Sequence, residues 1–335
     1  MPDDNRYSRQ SLIPGWDQTT LDNSTVILIG VGAIGSYVAT ILASSGIGKL
    51  VIIEFDSIEL SNLNRQLLFR EEDLGKPKAE VASKRLKEIN PEIEIEFYHK
   101  KMEEVKASVY EKADVIIGCL DTFIGRRWIS SMAIRVKKPL ILGGMFAFLG
   151  DVQVIIPYKT ACFECQPLVP DEELAQACTP FGEERKKDRG EEEEVEAKLP
   201  AVATLSSIIG GMIAQESLKL ILELGAPLEN YMFYDGLNNA TTIIPLARTE
   251  DCPACGELYK LEQIEFVAHP TETIKDLMLR LALTYGLEKP DLMVEGKLLE
   301  GKNVVENQLK EKSVAYILDK NLAKPIKIVI KIEKL

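Results

Sequence analysis

A doubly wound α/β domain, followed by a small α+β domain, is the fold predicted for this chain of 335 residues. Three features carry the prediction. Short β-branched runs alternate with helical patterns through the first half. A glycine-rich turn joins the first run to the first helix. The pattern then changes character just after the second of two Cys-x-x-Cys pairs, at Cys255-Gly256.

Val26-Ile27-Leu28-Ile29-Gly30 reads as a buried parallel strand, because its apolar run is continuous rather than alternating. Gly30-Val31-Gly32-Ala33-Ile34-Gly35 turns it into a helix that runs to Ser45. Leu50 to Ile53 is a second strand, and Lys76 to Glu88 a helix stopped by Asn90-Pro91. Ile93 to Phe97 alternates as a third strand. Val115 to Gly118 and Pro139 to Leu142 are the fourth and fifth. This order predicts a mostly parallel sheet of the dinucleotide-binding type. Glu183 to Lys198 is almost wholly charged and reads as a solvated loop. Leu205 to Leu224 is a long helix closed by Gly225 and Pro227. Beyond residue 260 come a strand at Ile264-Glu265-Phe266 and a helix with Ile274, Leu277, Met278 and Leu281 on one face. A short hairpin over Met293 to Leu299 and an alternating strand, Ile326 to Ile332, complete the chain. The predicted domains are 1–260 and 261–335, with a crossover segment, 171–200, inserted in the first.

Charge narrows the function classes. With 52 acidic and 40 basic residues the net charge is −12, which argues against a nucleic-acid partner. No signal peptide opens the chain, and the strongest apolar run, Pro139 to Pro157, is broken by Asp151 and several glycines. A cytoplasmic protein with no membrane partner is expected.

Four of the six cysteines form two pairs, Cys162-Phe163-Glu164-Cys165 and Cys252-Pro253-Ala254-Cys255. Together they suit a tetrahedral four-thiolate Zn²⁺ site, with a redox dithiol as the rival reading. Cys119 lies in the apolar run Val115 to Leu120 and reads as a small core residue. Cys178 stands apart in Ala177-Cys178-Thr179-Pro180-Phe181-Gly182, with little apolar surrounding it. A thiol there suits a nucleophile that must meet a bulky acyl group. His99 and His269 are the only histidines, so no Cys-His dyad is expected.

The turn glycines Gly30, Gly32 and Gly35 would bring phosphates to a helix N-terminus. Glu54, at the end of the second strand, stands where a ribose-binding acid belongs, and this alone would suit a nicotinamide enzyme equally well. Two features favour ATP. Arg65 and Lys78 add two cations near one helix N-terminus, more than a pyrophosphate needs. Asp121 follows the fourth strand, well placed to hold Mg²⁺ against phosphate oxygens.

The run Ser61-Asn62-Leu63-Asn64-Arg65-Gln66, Gly75-Lys76-Pro77-Lys78 after it, and the opening Arg6-Tyr7-Ser8-Arg9-Gln10 resemble the ubiquitin-activating enzyme superfamily. That superfamily includes bacterial adenylyltransferases of sulfur-carrier proteins. The resemblance spans roughly residues 6–260. It implies that Glu54 and Asp56 serve the nucleotide, with Glu54 on the ribose. Asn62, Arg65, Gln66 and Lys78 would contact ATP, and Asp121 would hold Mg²⁺. Arg9 would reach the phosphates, often from a partner subunit, so a homodimer is implied. Cys178 occupies the region of the thioester cysteine. The substrate implied is the C-terminal carboxylate of a ubiquitin-like, β-grasp protein. Residues 261–335 resemble a ubiquitin fold, which in this superfamily recruits a conjugating enzyme. Two other readings stand beside this one: a sulfur-carrier adenylyltransferase without such transfer, and a non-catalytic nucleotide-binding scaffold. The sequence departs from the family pattern at Glu54, where aspartate is usual, and at Thr122 and Ser130, where asparagines are common.

Overall fold

The computed structural model describes residues 5–165, 200–250, 252, 254–256, 264–285, 287, 290–294, 297–310, 313–318 and 326–333. Cys178 and the charged run 183–198 lie outside them. The chain divides into two compact units, Met1–Arg248 and Thr249–Leu335.

The first unit begins with a short helix, α1 (Gln18–Asp22), capped by the Asp17 carboxylate, which accepts from the Thr19 N–H at 2.9 Å. Then follow β1 (Thr25–Ile29), α2 (Ala33–Ser45), β2 (Lys49–Ile53), α3 (Lys78–Ile89) and β3 (Glu94–Tyr98). Next come α4 (Ala107–Tyr110), β4 (Val115–Gly118), α5 (Phe123–Val136), β5 (Leu140–Phe146) and β6 (Leu149–Ile155). The last three elements are α6 (Ala203–Leu222), β7 (Tyr231–Asp235) and β8 (Ala240–Ile244). The strands form one sheet in the order β3-β2-β1-β4-β5-β6-β7-β8. From β3 to β5 every pairing is parallel; from β5 to β8 every pairing is antiparallel. The predicted parallel half is therefore present, and an antiparallel half extends it.

Helices cover both faces. α2, α3 and α6 pack on one and α4 and α5 on the other. The main core takes Val26, Leu28, Leu50 and Ile52 from the strands, Val38 and Leu42 from α2, and Ile209 and Ile213 from α6. By length and composition α6 could cross a membrane, a run that the sequence reading passed over. Half of it is buried here, its Ile213 and Ile209 pressed against Gly143 and Gly150 of the neighbouring strands.

The second unit is a five-stranded sheet gripping one helix. Its elements are β9 (Ile264–Ala268), α7 (Ile274–Tyr285), β10 (Asp291–Val294), β11 (Lys297–Leu298), α8 (Val305–Gln308), β12 (Ser313–Leu318) and β13 (Ile326–Ile332). The order is β11-β10-β12-β13-β9. Ile274, Leu277 and Leu281 of α7 pack on Leu292, Ala315, Ile317, Ile328 and Ile330, the inward residues of alternating strands. The expected strand, helix, hairpin and final strand are all present. β12, which the sequence reading lacked, takes the middle of the sheet.

Backbone approach sets two glycines apart. A Cβ on Gly35 would lie 2.0 Å from the Gly30 carbonyl oxygen, whereas a Cβ on Gly211, inside α6, meets nothing within 4 Å. Gly35→Ala is expected to destabilise the chain by about 1–3 kcal/mol. Gly211→Ala should instead stabilise it by roughly 0.5–1 kcal/mol. Urea denaturation of the two variants beside the parent checks both signs.

Candidate nucleotide site and cysteine cluster

The strand order reverses direction around β1, so β1 and β4 send their following loops to opposite sides and leave a crevice between their C-terminal ends. Gly30 follows β1 and Cys119 follows β4. Gly30 holds φ +83°, and its α-carbon sits so close to the Cys119 carbonyl that a Cβ would lie 2.4 Å from that oxygen. Gly35 closes α2 onto the same turn. Gly32 differs: the nearest side-chain atom to a Cβ there is Gln66 Nε2 at 3.7 Å, an ordinary contact. Neighbouring protein atoms therefore do not demand glycine at 32. Gly32 is also the N-cap of α2 and supplies no capping side chain, so the helix presents its N–H groups to the crevice.

Glu54 is buried at the end of β2. Its two carboxylate oxygens accept from the Val31 N–H at 3.1 Å and the Asp56 N–H at 2.9 Å. The carboxylate thus fixes the glycine turn and the next loop to each other. Burial pushes the Glu54 carboxyl above its ordinary value, against the opposing pull of the Asp56 N–H and of Lys78. Asp56 reaches the other way. Its carboxylate accepts from the Lys78 ammonium at 2.9 Å and its carbonyl from the Lys78 N–H at 3.0 Å. A bridge between Ser57 and Pro77 continues this zipper. Asp56 is thereby the hub between Glu54 and Lys78.

The Asn62 carboxamide oxygen accepts from the Glu59 N–H at 3.1 Å and ties the turn that carries Arg65 and Gln66. Gln66 is buried, and its Oε1 has no hydrogen-bond partner. Arg65 donates to the Ser61 carbonyl at 2.7 Å and to Asn64 Oδ1 at 2.9 Å. Asp121 is exposed, immediately before Thr122, whose hydroxyl caps α5 by accepting from the Gly125 N–H at 3.2 Å. Cys119 packs against the main core. Burial pushes its thiol up to about 12, which leaves almost no thiolate near neutrality.

Sequence reasoning missed the group that steadies the Asp121 loop. Arg126 is buried and donates to the Leu120 carbonyl at 3.3 Å, to the Gly143 carbonyl at 3.1 Å and to Asp151 at 3.0 Å. A Cβ on Gly144 would lie 1.7 Å from Arg126 Nη2. The Gly143-Gly144 pair in a strand was the available signal, since such glycines mark close approach.

Arg9 lies elsewhere. The Gln10 side chain donates to the Ser45 carbonyl at 2.7 Å, and the Tyr7 ring lies against Gly46. Both anchor the segment at the C-terminal end of α2, 13 residues from the glycine turn. That is about 20 Å of helix, longer than any side chain. Arg9 is exposed and does not reach the crevice of its own chain.

The cysteine pairs come together. The four sulfurs of Cys162, Cys165, Cys252 and Cys255 lie within 4.8 Å of one another, all buried and none in a disulfide. Cys162 and Cys165 are 3.8 Å apart at sulfur. That is about the edge of a tetrahedron with Zn–S bonds of about 2.3 Å. Each pair turns tightly: the Cys165 N–H donates to the Cys162 carbonyl at 3.2 Å, and the Gly256 N–H to the Cys252 carbonyl at 2.8 Å. The donor set and spacing fit zinc.

The sequence profile of the ThiF family matches residues 7–254. The chain belongs to the ThiF family. A ThiF-family relative, the sulfur carrier protein adenylyltransferase of Thermus thermophilus, is 31% identical over 75% of this chain and 90% of its own length. The NEDD8-activating enzyme E1 catalytic subunit of Caenorhabditis elegans is 27% identical over 88% of this chain and 84% of its own. Among solved structures, E. coli MccB with ATP superposes with a TM-score of 0.62 at 26% identity, covering 76% of this chain and 75% of that one. The resemblance to the ubiquitin-activating superfamily holds, and the ThiF-family region contains the whole crevice.

The raised Glu54 carboxyl has a consequence for stability. A carboxyl whose folded value is raised contributes stability that is present below its unfolded value and lost as pH rises through the folded one. Glu54→Gln removes that titration. The variant's stability relative to the parent should therefore rise as pH increases upward from about 4.5, the ordinary glutamate value. Unfolding free energies of both proteins across pH 4 to 7 (a range on the order of three units) check the slope; a flat difference contradicts it.

Proposed function

We propose that this protein adenylates the C-terminal carboxylate of a ubiquitin-like protein with ATP, and then takes the acyl group onto Cys178 as a thioester. The observation that carries the reading is the crevice itself. A helix N-terminus opens there beside Gly32, with the buried ammonium of Lys78 on one side and the exposed carboxylate of Asp121 on the other.

ATP would lie with its phosphates against the α2 N-terminus and Lys78, with Arg65 and the Gln66 carboxamide beside them. Glu54 and Asp56 hold that frame rigid, so little reorganisation is needed as charge develops. Asp121 would hold Mg²⁺, which when bound neutralises phosphate charge. A carrier carboxylate oxygen bonds to the α-phosphorus, and the bond to the bridging oxygen of the leaving pyrophosphate breaks. The Cys178 sulfur, having lost its proton, then bonds to the acyl carbon as the mixed-anhydride C–O bond breaks and AMP leaves. The high-pKa thiol of Cys119 is unsuited to that second role.

A protein substrate has apolar surface to meet. The β5–β6 tip and the β7–β8 tip lie at the crevice edge of the sheet, and there Phe148 and Leu237 are exposed. Pro200, where the described chain resumes after Cys178, accepts from the Ala147 N–H at 2.8 Å on the same tip.

Hand-over to a conjugating enzyme through residues 261–335 completes the proposal. The alignment with the NEDD8-activating subunit covers 88% of the chain, more than residues 7–254 can hold, so it extends into the second unit. The sulfur carrier relative covers 75%. A sulfur-carrier adenylyltransferase remains the second reading, favoured by the 31% identity to that relative.

Two tests follow. With a β-grasp carrier present, Cys178→Ala should keep ATP–pyrophosphate exchange within about twofold while losing the reducible enzyme–carrier adduct. Asp121→Ala should cut exchange on the order of a hundredfold or more. A parent protein that exchanges pyrophosphate without forming an adduct would favour the sulfur-carrier reading. The position of Arg9 adds the second test. If a second copy supplies it, Arg9→Ala and Asp121→Ala are each inactive alone. Their mixture should then regain roughly a quarter of parental exchange, since half the dimers are mixed and each has one whole site. No recovery on mixing contradicts delivery of Arg9 from a partner.

A further inference from the structure

The Cys162–Cys165 turn grips a helix as well as its own partners. In a Cys-x-x-Cys turn that only holds metal, the two intervening residues are free to face water. Here both are used. Glu164 is buried and ion-paired with Arg127 of α5. The Phe163 N–H donates to the Ser130 hydroxyl at 3.2 Å, one helical turn further along. The Phe163 ring lies 6.4 Å from that of Phe123, the first residue of α5. Three contacts thus fall on the first two turns of the helix whose N-cap, Thr122, directly follows Asp121. On another side the same turns are held by Arg126 to Asp151 and the Gly143 carbonyl. Ser130, which departs from the family's asparagine, has its role here.

We infer that the cysteine turn positions the start of α5, and that Glu164 is the residue through which it does so. The first turn of α5 depends on short-range groups: the Gly125 N–H is held by the Thr122 hydroxyl and the Arg126 N–H by the Thr122 carbonyl at 3.2 Å. A turn so made frays unless tertiary contacts hold it. Four thiolates holding zinc would make residues 162–165 rigid, and a rigid Glu164 fixes Arg127. The position of Asp121 then depends on a metal site that takes no part in the chemistry. Glu164 is a positioning residue, and this last step rests on the reading of Asp121 given above.

The test uses the full chain and amide hydrogen exchange of a peptide spanning 122–130. Removing zinc from the parent with a chelator should speed exchange there roughly tenfold or more. Zinc-loaded Glu164→Gln should show most of that acceleration, while residues 26–29 of β1 stay unchanged. In the same variant the magnesium requirement of pyrophosphate exchange should rise, with the rate at saturating magnesium recovered. Arg127→Gln attacks the pair from the helix side, away from the cysteines, and should behave alike. Zinc-loaded variants that exchange like the parent overturn the inference. Loss of zinc from both variants overturns it too, since the pair then serves the cluster and not the helix. A parent without pyrophosphate exchange removes the functional reading alone, because the amide measurement still decides the clamp.

Discussion

The site depends on one close approach. The backbone of Gly30 and the carbonyl of Cys119 touch because β1 and β4 end at the same level, Ile29 opposite Gly118. Only there does the sheet order turn back on itself, so only there do neighbouring loops part. Everything else in the crevice is arranged relative to this contact. Gly35 must lack a side chain because α2 starts directly over the Gly30 carbonyl. Glu54 must be buried because it bonds the Val31 N–H within the turn. The cost of desolvating its carboxylate is only partly offset by two backbone N–H groups and a nearby ammonium, so the carboxyl stays raised. The acid that the resemblance would place on a ribose is, in this fold, the residue that holds the turn rigid.

How far this was legible in the sequence follows from the range of each interaction. β1, α2, β2, β4 and the turn between β1 and α2 were read within a residue or two, because continuous apolar runs and glycine spacing are local signals. The antiparallel half was not. Leu149–Ile155, Tyr231–Asp235 and Ala240–Ile244 carry no uniform apolar alternation, and β8 is exposed throughout. Their pairing is decided by neighbours far along the chain. β12 escaped for a similar reason: Ser313–Leu318 is a strand because β10 and β13 flank it. The cysteine cluster was legible because thiolate chemistry fixes both residue type and spacing. The Arg126–Asp151 and Arg127–Glu164 pairs were not, since nothing local distinguishes a buried arginine from a surface one. Arg9 shows the opposite failure. Its motif was legible, but only the placement of Tyr7 and Gln10 reveals which end of α2 it occupies.

Burial also divides the charged groups by task. Arg126 pairs with Asp151, Arg127 with Glu164 and Lys78 with Asp56. Breaking a buried pair by deleting one partner is costly, because the other charge remains desolvated. Such pairs suit a frame. Arg126 and Arg127 fit that description, because each guanidinium is paired with a carboxylate that is itself largely covered.

Lys78 differs in one respect. Its own side chain is 7% exposed, but the side chain of Asp56 is 49% exposed. An anion that arrives at the ammonium can therefore take over the pairing without stranding a buried charge. The carboxylate turns to water, which solvates it cheaply, and the ammonium exchanges one anion for another. The reverse arrangement, a covered carboxylate and an exposed lysine, would resist such an exchange, because losing the lysine would leave an unpaired buried anion. In a chain with net charge −12, attraction at long range does little for a polyphosphate. Under the proposed function, a covered cation whose resting partner can turn to water would select it.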